Sequence, residues 1–324
     1  MEAEPRIVST DLPQERSEVA SWTGCFEPFA VGDPGRAPDR VISKLNTRFW
    51  YRPELALDAV MVGQEGESPF AALRAASIRG LSHRHYGEVR QDEYAFRVTP
   101  DNRYLVVCVA DGVSAGKWSH LAALWGSRGG VDDLCRILRD TEPEDIDWPR
   151  FVGEVAAQVE QAGRDHLLRH GVLPEDVGTT RQVAGQLATT VLYAVVCLSG
   201  SAAGQAHVYG IGDTSVWVLA DGHWHPRQPI KNDGAEVYSS SVTALPLLPR
   251  ELPPVIRTRV APGQVLVLMT DGVGDPLGDG TGSVAEFLAD RWCLPPSGLE
   301  FAAQVDFRRS TFDDDRTVVA LWPL

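Results

Sequence analysis

Three apolar runs, at 189–198, 205–211 and 215–220, follow one another almost without pause. A parallel crossover needs a dozen or more residues, so strands joined by connections this short must pair antiparallel. That excludes a doubly wound parallel sheet for the middle of the chain. Further strand patterns lie at 94–98, 104–110, 264–270 and 317–322, and 71–78 suits either a short strand or a short helix. Helical spacing runs over 119–140, through Leu121, Leu124, Val131, Leu134, Ile137 and Leu138. It recurs over 150–169 through Phe151, Val155, Val159 and Ala162, and again near 284–292 and 298–306. Helices fall in pairs between groups of strands, so the expected class is α+β, antiparallel sheets covered by helices. Asp221-Gly222 reads as a turn. Residues 222–256, rich in Pro, His, Ser and Asp, read as an irregular flap. The first 70 residues carry Pro, Gly, charge and scattered aromatics with little periodicity. They read as an N-terminal extension, 1–70, ahead of one domain, 71–324.

Composition narrows the function. The 324 residues are 44% hydrophobic, enough for a full core, and the net charge of −14 argues against a nucleic-acid surface, which needs a basic stripe. Five cysteines are odd in number and lack paired spacing, and Cys108 and Cys197 sit inside apolar runs. They read as reduced, buried thiols of a cytoplasmic protein. The acidic start shows no signal-peptide pattern. The longest near-apolar segment, 187–198, is too short to span a bilayer. No zinc spacing occurs among the eight histidines, and there is no HExxH or CxxC. His223 and His225 read as surface residues.

Acids gather at strand ends. The run 104–110 enters Asp111-Gly112, and 264–270 enters Asp271-Gly272; in neither case does a second strand follow at once, as a hairpin would require. Asp92 precedes 94–98, Asp213 follows 205–211, and Asp313, Asp314 and Asp315 precede the last strand. Each alone suits a turn or cap. Together in a cleft they would raise one another's pKa unless cations bind, and hard divalent ions with oxygen ligands, Mg²⁺ or Mn²⁺, fit such a set. A rival lies in Gly112-Val-Ser114-Ala-Gly116, which fits the G-x-S-x-G elbow of serine hydrolases. Asp213 and His223 follow in the right order, but that fold needs a parallel sheet.

Six short motifs occur in order: His83-Arg-His-Tyr-Gly-Glu-Val-Arg-Gln-Asp92, Ala110-Asp-Gly112, Ala188-Thr-Thr190, Gly212-Asp-Thr214, Thr270-Asp-Gly272 and Asp314-Asp-Arg-Thr-Val318. Over residues 80–324 the chain thereby resembles the metal-dependent (type 2C, PPM) Ser/Thr protein phosphatases. The resemblance implies an αββα sandwich with a two-metal site at one end. It implies Asp92, Asp111, Asp271 and Asp314 as ligands of two Mn²⁺ or Mg²⁺ ions, directly or through water, with Asp111 as bridge and Gly112 contributing its carbonyl. It further implies water-mediated hydrolysis of phosphoserine and phosphothreonine on partner proteins that are substrates of a Ser/Thr kinase. The chain departs from the family pattern at three places. Gly87 stands where many members have a phosphate-holding Arg, leaving His83, Arg84 or Arg90 to substitute. Val113-Ser114-Ala115 follows the first Asp-Gly without a histidine. Gly185 replaces an Asp that many members use for a third ion. These departures keep open a second reading, a phosphatase-like domain that binds phosphoproteins or a kinase with little turnover.

Overall fold

A computed structural model describes residues 29–33, 44, 52–63, 70–228 and 243–324. In chain order its strands are β1 (Phe29–Ala30), β2 (Leu55–Val62), β3 (Ala71–Ile78), β4 (Glu93–Val98), β5 (Tyr104–Gly112), β6 (Thr189–Cys197), β7 (Gln205–Ile211), β8 (Ser215–Ala220), β9 (His223–Pro226), β10 (Ile256–Arg259), β11 (Gln264–Met269), β12 (Phe307–Arg308) and β13 (Arg316–Pro323). Its α-helices are α1 (Leu81–Tyr86), α2 (Ser119–Ile137), α3 (Trp148–Arg169), α4 (Thr180–Ala184), α5 (Asp271–Leu277), α6 (Ser283–Trp292) and α7 (Gly298–Val305). One large sheet runs β10-β7-β6-β5-β4 and a second β2-β3-β13-β11-β8-β9; every pairing in both is antiparallel, while the two-residue strands β1 and β12 form a separate parallel pair.

Side-chain alternation explains the layering. On β5, Leu105, Val107 and Val109 join Leu192, Ala194, Val216, Val218, Leu266, Leu268, Val319 and Leu321 in one core between the sheets. The other face of β5, with Tyr104, Val106, Cys108 and Ala110, packs on Leu134, Phe151, Val155 and Val159 of α2 and α3. Val265, Val267, Met269, Val318 and Ala320 of the second sheet pack on Leu288, Trp292 and Phe301 of α6 and α7. Both faces of the central strands are therefore buried, which is why they read as continuous apolar runs and not as alternation. The result is two antiparallel sheets with helices outside, an αββα sandwich.

Several local expectations change. Residues 71–78 are strand β3, which pairs along its whole length with β13. The chain after β11 enters helix α5 at once, with Thr270 its N-cap and Asp271 its first residue. The turn at Asp221-Gly222 is present, with φ of 52° and 76°, the two left-handed residues of a tight hairpin between β8 and β9. That hairpin makes the start of the 222–256 flap regular; His223 and His225 are exposed on β9, and 229–242 lie outside the described residues. Strand β2 lies within the stretch read as an extension, and its eight residues pair with β3. Most of the rest of 1–51, with Trp22 and Phe49 among it, lies outside the described residues. Among the described residues no helix is long and apolar enough to cross a membrane.

Candidate metal centre

The alternation that builds the core between the sheets turns polar at one end. Continuing each strand's inward positions by two residues reaches Asp111 beyond Val109, Thr190 before Leu192 and Asp92 before Tyr94. The same step reaches Thr270 beyond Leu268, Ser77 beyond Ala75, and Thr317 and Asp315 before Val319. Asp111 and Thr190 face each other across the β5–β6 ladder. The acids thus meet because six strands end at the same edge of the sandwich.

Their oxygens are close. Asp111, Asp213 and Asp271 each present a carboxylate oxygen within 4.8 Å of the others. His83, Asp314 and Asp315 form a second group on the same criterion. In the sequence Asp213 was an acid at a strand end, part of the Gly212-Asp-Thr214 motif, with no ligand role attached. The structure places it beside Asp111 and Asp271, because the tight β7–β8 connection carries it over the strand ends.

Hydrogen bonds fix the surroundings. Thr317 N–H donates to Thr270 Oγ1 at 3.0 Å, and that hydroxyl donates to Asp92 Oδ2 at 2.8 Å. Thr317 Oγ1 donates to Ser77 Oγ at 2.6 Å. Thr189 Oγ1 donates to the carbonyl of Asp111 at 2.8 Å. Close backbone approach requires glycine at two points. A Cβ on Gly112 would lie 2.8 Å from the Gln91 carbonyl oxygen, and one on Gly272 would lie 1.9 Å from the Asp315 carbonyl oxygen. The Gly272 contact is what lets the start of α5, and so Asp271, come up against the start of β13.

Electrostatics mark the site as strained by charge. Burial, then Asp315 and Asp314, holds Asp92 well above the usual carboxylate range. Burial, then Asp92, Asp271 and Asp314, does the same to Asp111. Burial, with Asp213, Asp314 and Asp275, pushes Asp271 up to about 6 despite a hydrogen bond to Asp111. Burial and Asp315 raise Asp314, whose side chain is half-exposed. Asp315 goes the other way: burial would raise it, but the charge and hydrogen bond of His83 and the amides of Gln91 and Gly80 outweigh that and lower it. A set of raised carboxylates binds either protons or cations near neutral pH. The donors are all hard oxygens. Thr190 Oγ1, Thr214 Oγ1 and Gln91 Oε1, on residues next to Asp111, Asp213 and Asp92, are buried with no hydrogen-bond partner among the described residues. Acceptor-rich, under-satisfied and anionic, the site fits hydrated divalent ions such as Mg²⁺ or Mn²⁺.

The sequence model of the family described as Protein phosphatase 2C matches residues 79–296, more than half of the chain. The chain belongs to the protein phosphatase 2C family. No curated protein gives a significant sequence match. Among solved structures, a point mutant of a bacterial serine phosphatase aligns at 13% identity and a TM-score of 0.51, covering 77% of this chain and 96% of that one. The catalytic domain of the serine/threonine phosphatase PstP, solved with two manganese ions, aligns at 18% identity and 0.46, covering 78% and 97%. RsbX, solved with magnesium, aligns at 11% identity and 0.45, covering 83% and 100%. At these identities the likeness concerns the fold.

Within this 2C phosphatase domain, the three side chains considered for the substrate phosphate are all engaged by protein. Arg90 is 3% exposed; its guanidinium donates to the Asp92 carbonyl at 2.6 Å and to Ser77 Oγ. Arg84 pairs with Asp306 at 3.3 Å. His83 Nδ1 lies 2.8 Å from Asp315 Oδ1, while its Nε2 faces Asp314 at 3.9 Å. Gly185 caps the short helix α4. Ser114 is exposed in the turn after β5, and the all-antiparallel sheets lack the parallel order that a nucleophile elbow requires.

Proposed function

We propose that this chain is a metal-dependent protein serine/threonine phosphatase, hydrolysing phosphoserine and phosphothreonine in cytoplasmic phosphoproteins. The carrying observation is the convergence of Asp92, Asp111, Asp213, Asp271 and Asp314 at one end of the sandwich, with pKa values raised for Asp92, Asp111, Asp271 and Asp314. Family membership supports the reaction class. In this reading Asp92, Asp111, Asp271 and Asp314, with the carbonyl of Gly112, would hold two Mn²⁺ or Mg²⁺ ions. Such ions, when bound, supply Lewis acidity toward phosphoryl oxygens and an activated water.

The chain's own groups do the positioning. Thr270 orients the Asp92 carboxylate through its hydroxyl. The Asp315 carboxylate accepts from Gly80 N at 2.6 Å and from Gln91 N, fixing the peptide that carries Asp92. Of the three candidates for the substrate phosphate, His83 alone faces the acid cluster; Arg84 and Arg90 are taken by internal partners. That same engagement favours a second reading, a phosphatase-like domain that binds phosphoproteins with little turnover. Hydrolysis of p-nitrophenyl phosphate separates them. Turnover should require Mn²⁺ or Mg²⁺ and vanish in chelator. Full activity in chelator rejects the metal reading, and phosphopeptide binding without turnover under every divalent ion selects the binding domain.

A further inference from the structure

A second cavity backs onto the acid centre. It encloses about 690 Å³, within the range of small-ligand sites. Arg52, which lines it, ties it to the centre, donating to the Asp92 carbonyl at 3.2 Å, to the His120 carbonyl at 3.1 Å and to Glu93 Oε2 at 2.6 Å. The floor comes from Leu121 and Leu124 on α2. The far side carries Trp118 with His166 edge-on at 4.5 Å and His170 stacked on His166 at 4.0 Å.

The charge of this cavity is opposite to that of the chain. Among the described residues three arginines line it against a single acid, Glu93, which Arg52 already pairs, and three histidines add ring nitrogens, in a chain of net charge −14. Arg128 is exposed at the rim and has no hydrogen-bond or ion-pair partner among the described residues. His166 Nε2 is buried and also lacks a partner there. The crowding shows in the titrating groups. Burial, then Arg52 and His166, lowers His120 to about 4. An anion would relieve this; a cation or a neutral apolar group would not.

We propose that this cavity is a specificity subsite for an anionic side chain of the substrate, a carboxylate or a second phosphate, on a residue near the one being dephosphorylated. The identity of the ligand as substrate rests on the phosphatase reading; the anion site itself does not. The apolar floor covers the stem of the side chain and the guanidinium and imidazole groups meet its charge. Arg52 lines the cavity and also holds the Asp92 carbonyl, so the cavity lies next to the acid centre.

The test uses full-length protein in chelator and three fluorescent peptides that differ at one position, with phosphoserine, glutamate or alanine there. The expected result is at least tenfold weaker binding of the alanine peptide, and at least tenfold weaker binding of the two anionic peptides to R128E, with R128Q intermediate and both variants folded by circular dichroism. Phosphoserine binding at least threefold more tightly than glutamate assigns the site to a second phosphate; equal binding assigns it to either anion. Equal affinity for all three peptides, or no change in R128E and R128Q, overturns the proposal. Metal-dependent turnover of p-nitrophenyl phosphate is measured separately. Its absence would reject the phosphatase reading while leaving the binding result to judge the cavity alone.

Discussion

Nδ1 of His83 lies 2.8 Å from Oδ1 of Asp315, and both side chains are buried. The same carboxylate accepts from Gly80 N at 2.6 Å, from Gln91 N, and from Asp92 N at 3.4 Å. Its lone pairs are thus used by N–H donors, so Asp315 acts as a hydrogen-bonded hub and not as a cation ligand. Asp315 ties the starts of α1, β4 and β13 together, and so sets Asp92 relative to Asp314.

Removing one partner of a buried ion pair strands the other, at a cost of about 3–5 kcal/mol. His83→Ala is therefore expected to lower unfolding free energy by that order. Charged His83 is held up to about 9, against an ordinary 6.5, because Asp315, Asp314 and Asp92 outweigh burial. Its folded-state pKa being raised, its contribution is complete below about pH 6.5 and is lost as pH rises through about 9. Urea unfolding of wild type and His83→Gln should differ most near pH 6 and converge above pH 9. A gap that is constant across this range would show that His83 is not charged in the fold.

The acid cluster predicts the reverse behaviour at Asp271. Its folded pKa is raised to about 6 from 3.8, so the metal-free protein binds that proton more tightly than the unfolded chain does. Stability should fall as pH rises from about 4 to 6 and stay reduced above. In chelator at pH 7.5, Asp271→Asn is expected to be more stable than wild type by on the order of 2 kcal/mol, an advantage that disappears near pH 4. Thermal unfolding at both pH values checks this; an Asp271→Asn protein that is less stable at pH 7.5 would contradict it.

Binding to the folded state alone stabilises by about 2.7 kcal/mol at a hundred times the dissociation constant. Saturating Mn²⁺ or Mg²⁺ should therefore raise the melting temperature of wild type by several degrees, and chelator should reverse it. Asp111→Asn, which replaces the central anion by a neutral amide, should lose most of this gain. Unchanged melting of wild type with and without ions would remove the metal centre.

Turnover should rank two substitutions in one loop. Asp111→Asn is expected to cost a hundredfold or more, above about 2.7 kcal/mol of barrier. Ser114→Ala, at an exposed turn position, should cost less than about tenfold. Phosphate-ester and carboxyl-ester assays, each with and without Mn²⁺, test the ranking; its inversion would restore the serine-nucleophile reading.

A truncation that starts at residue 71 removes the eight-residue β2–β3 pairing and Arg52, which holds the Asp92 carbonyl. The fragment is expected to be insoluble or to melt at least ten degrees lower, with weakened turnover. A fragment of wild-type stability and activity would show that the domain begins at 71 after all.

The sequence by itself determined the strand-by-strand layout of the middle of the chain. Short connections leave antiparallel pairing no alternative, and strands buried on both faces announce themselves as apolar runs. It also marked Asp92, Asp111, Asp213, Asp271 and Asp313 to Asp315 as acids at strand ends, and the resemblance to the metal-dependent phosphatases singled out Asp92, Asp111, Asp271 and Asp314 among them. What it left open depends on contacts between distant segments. Strand β2 is an edge strand with only partial burial, so its apolar signal is diluted and it read as part of the extension. Helix α5 begins at Asp271 because Gly272 lets it lie against Asp315, a contact 43 residues away along the chain that no local pattern carries. Asp213 and Asp315 were legible as strand-end acids inside two of the six motifs, with no role attached to either. Only the stacking of the two sheets decides that one of them joins Asp111 and Asp271 while the other spends its lone pairs on His83 and three backbone amides. Side-chain parity fixes which face a residue is on; tertiary packing fixes which faces meet, and therefore which acids share a site.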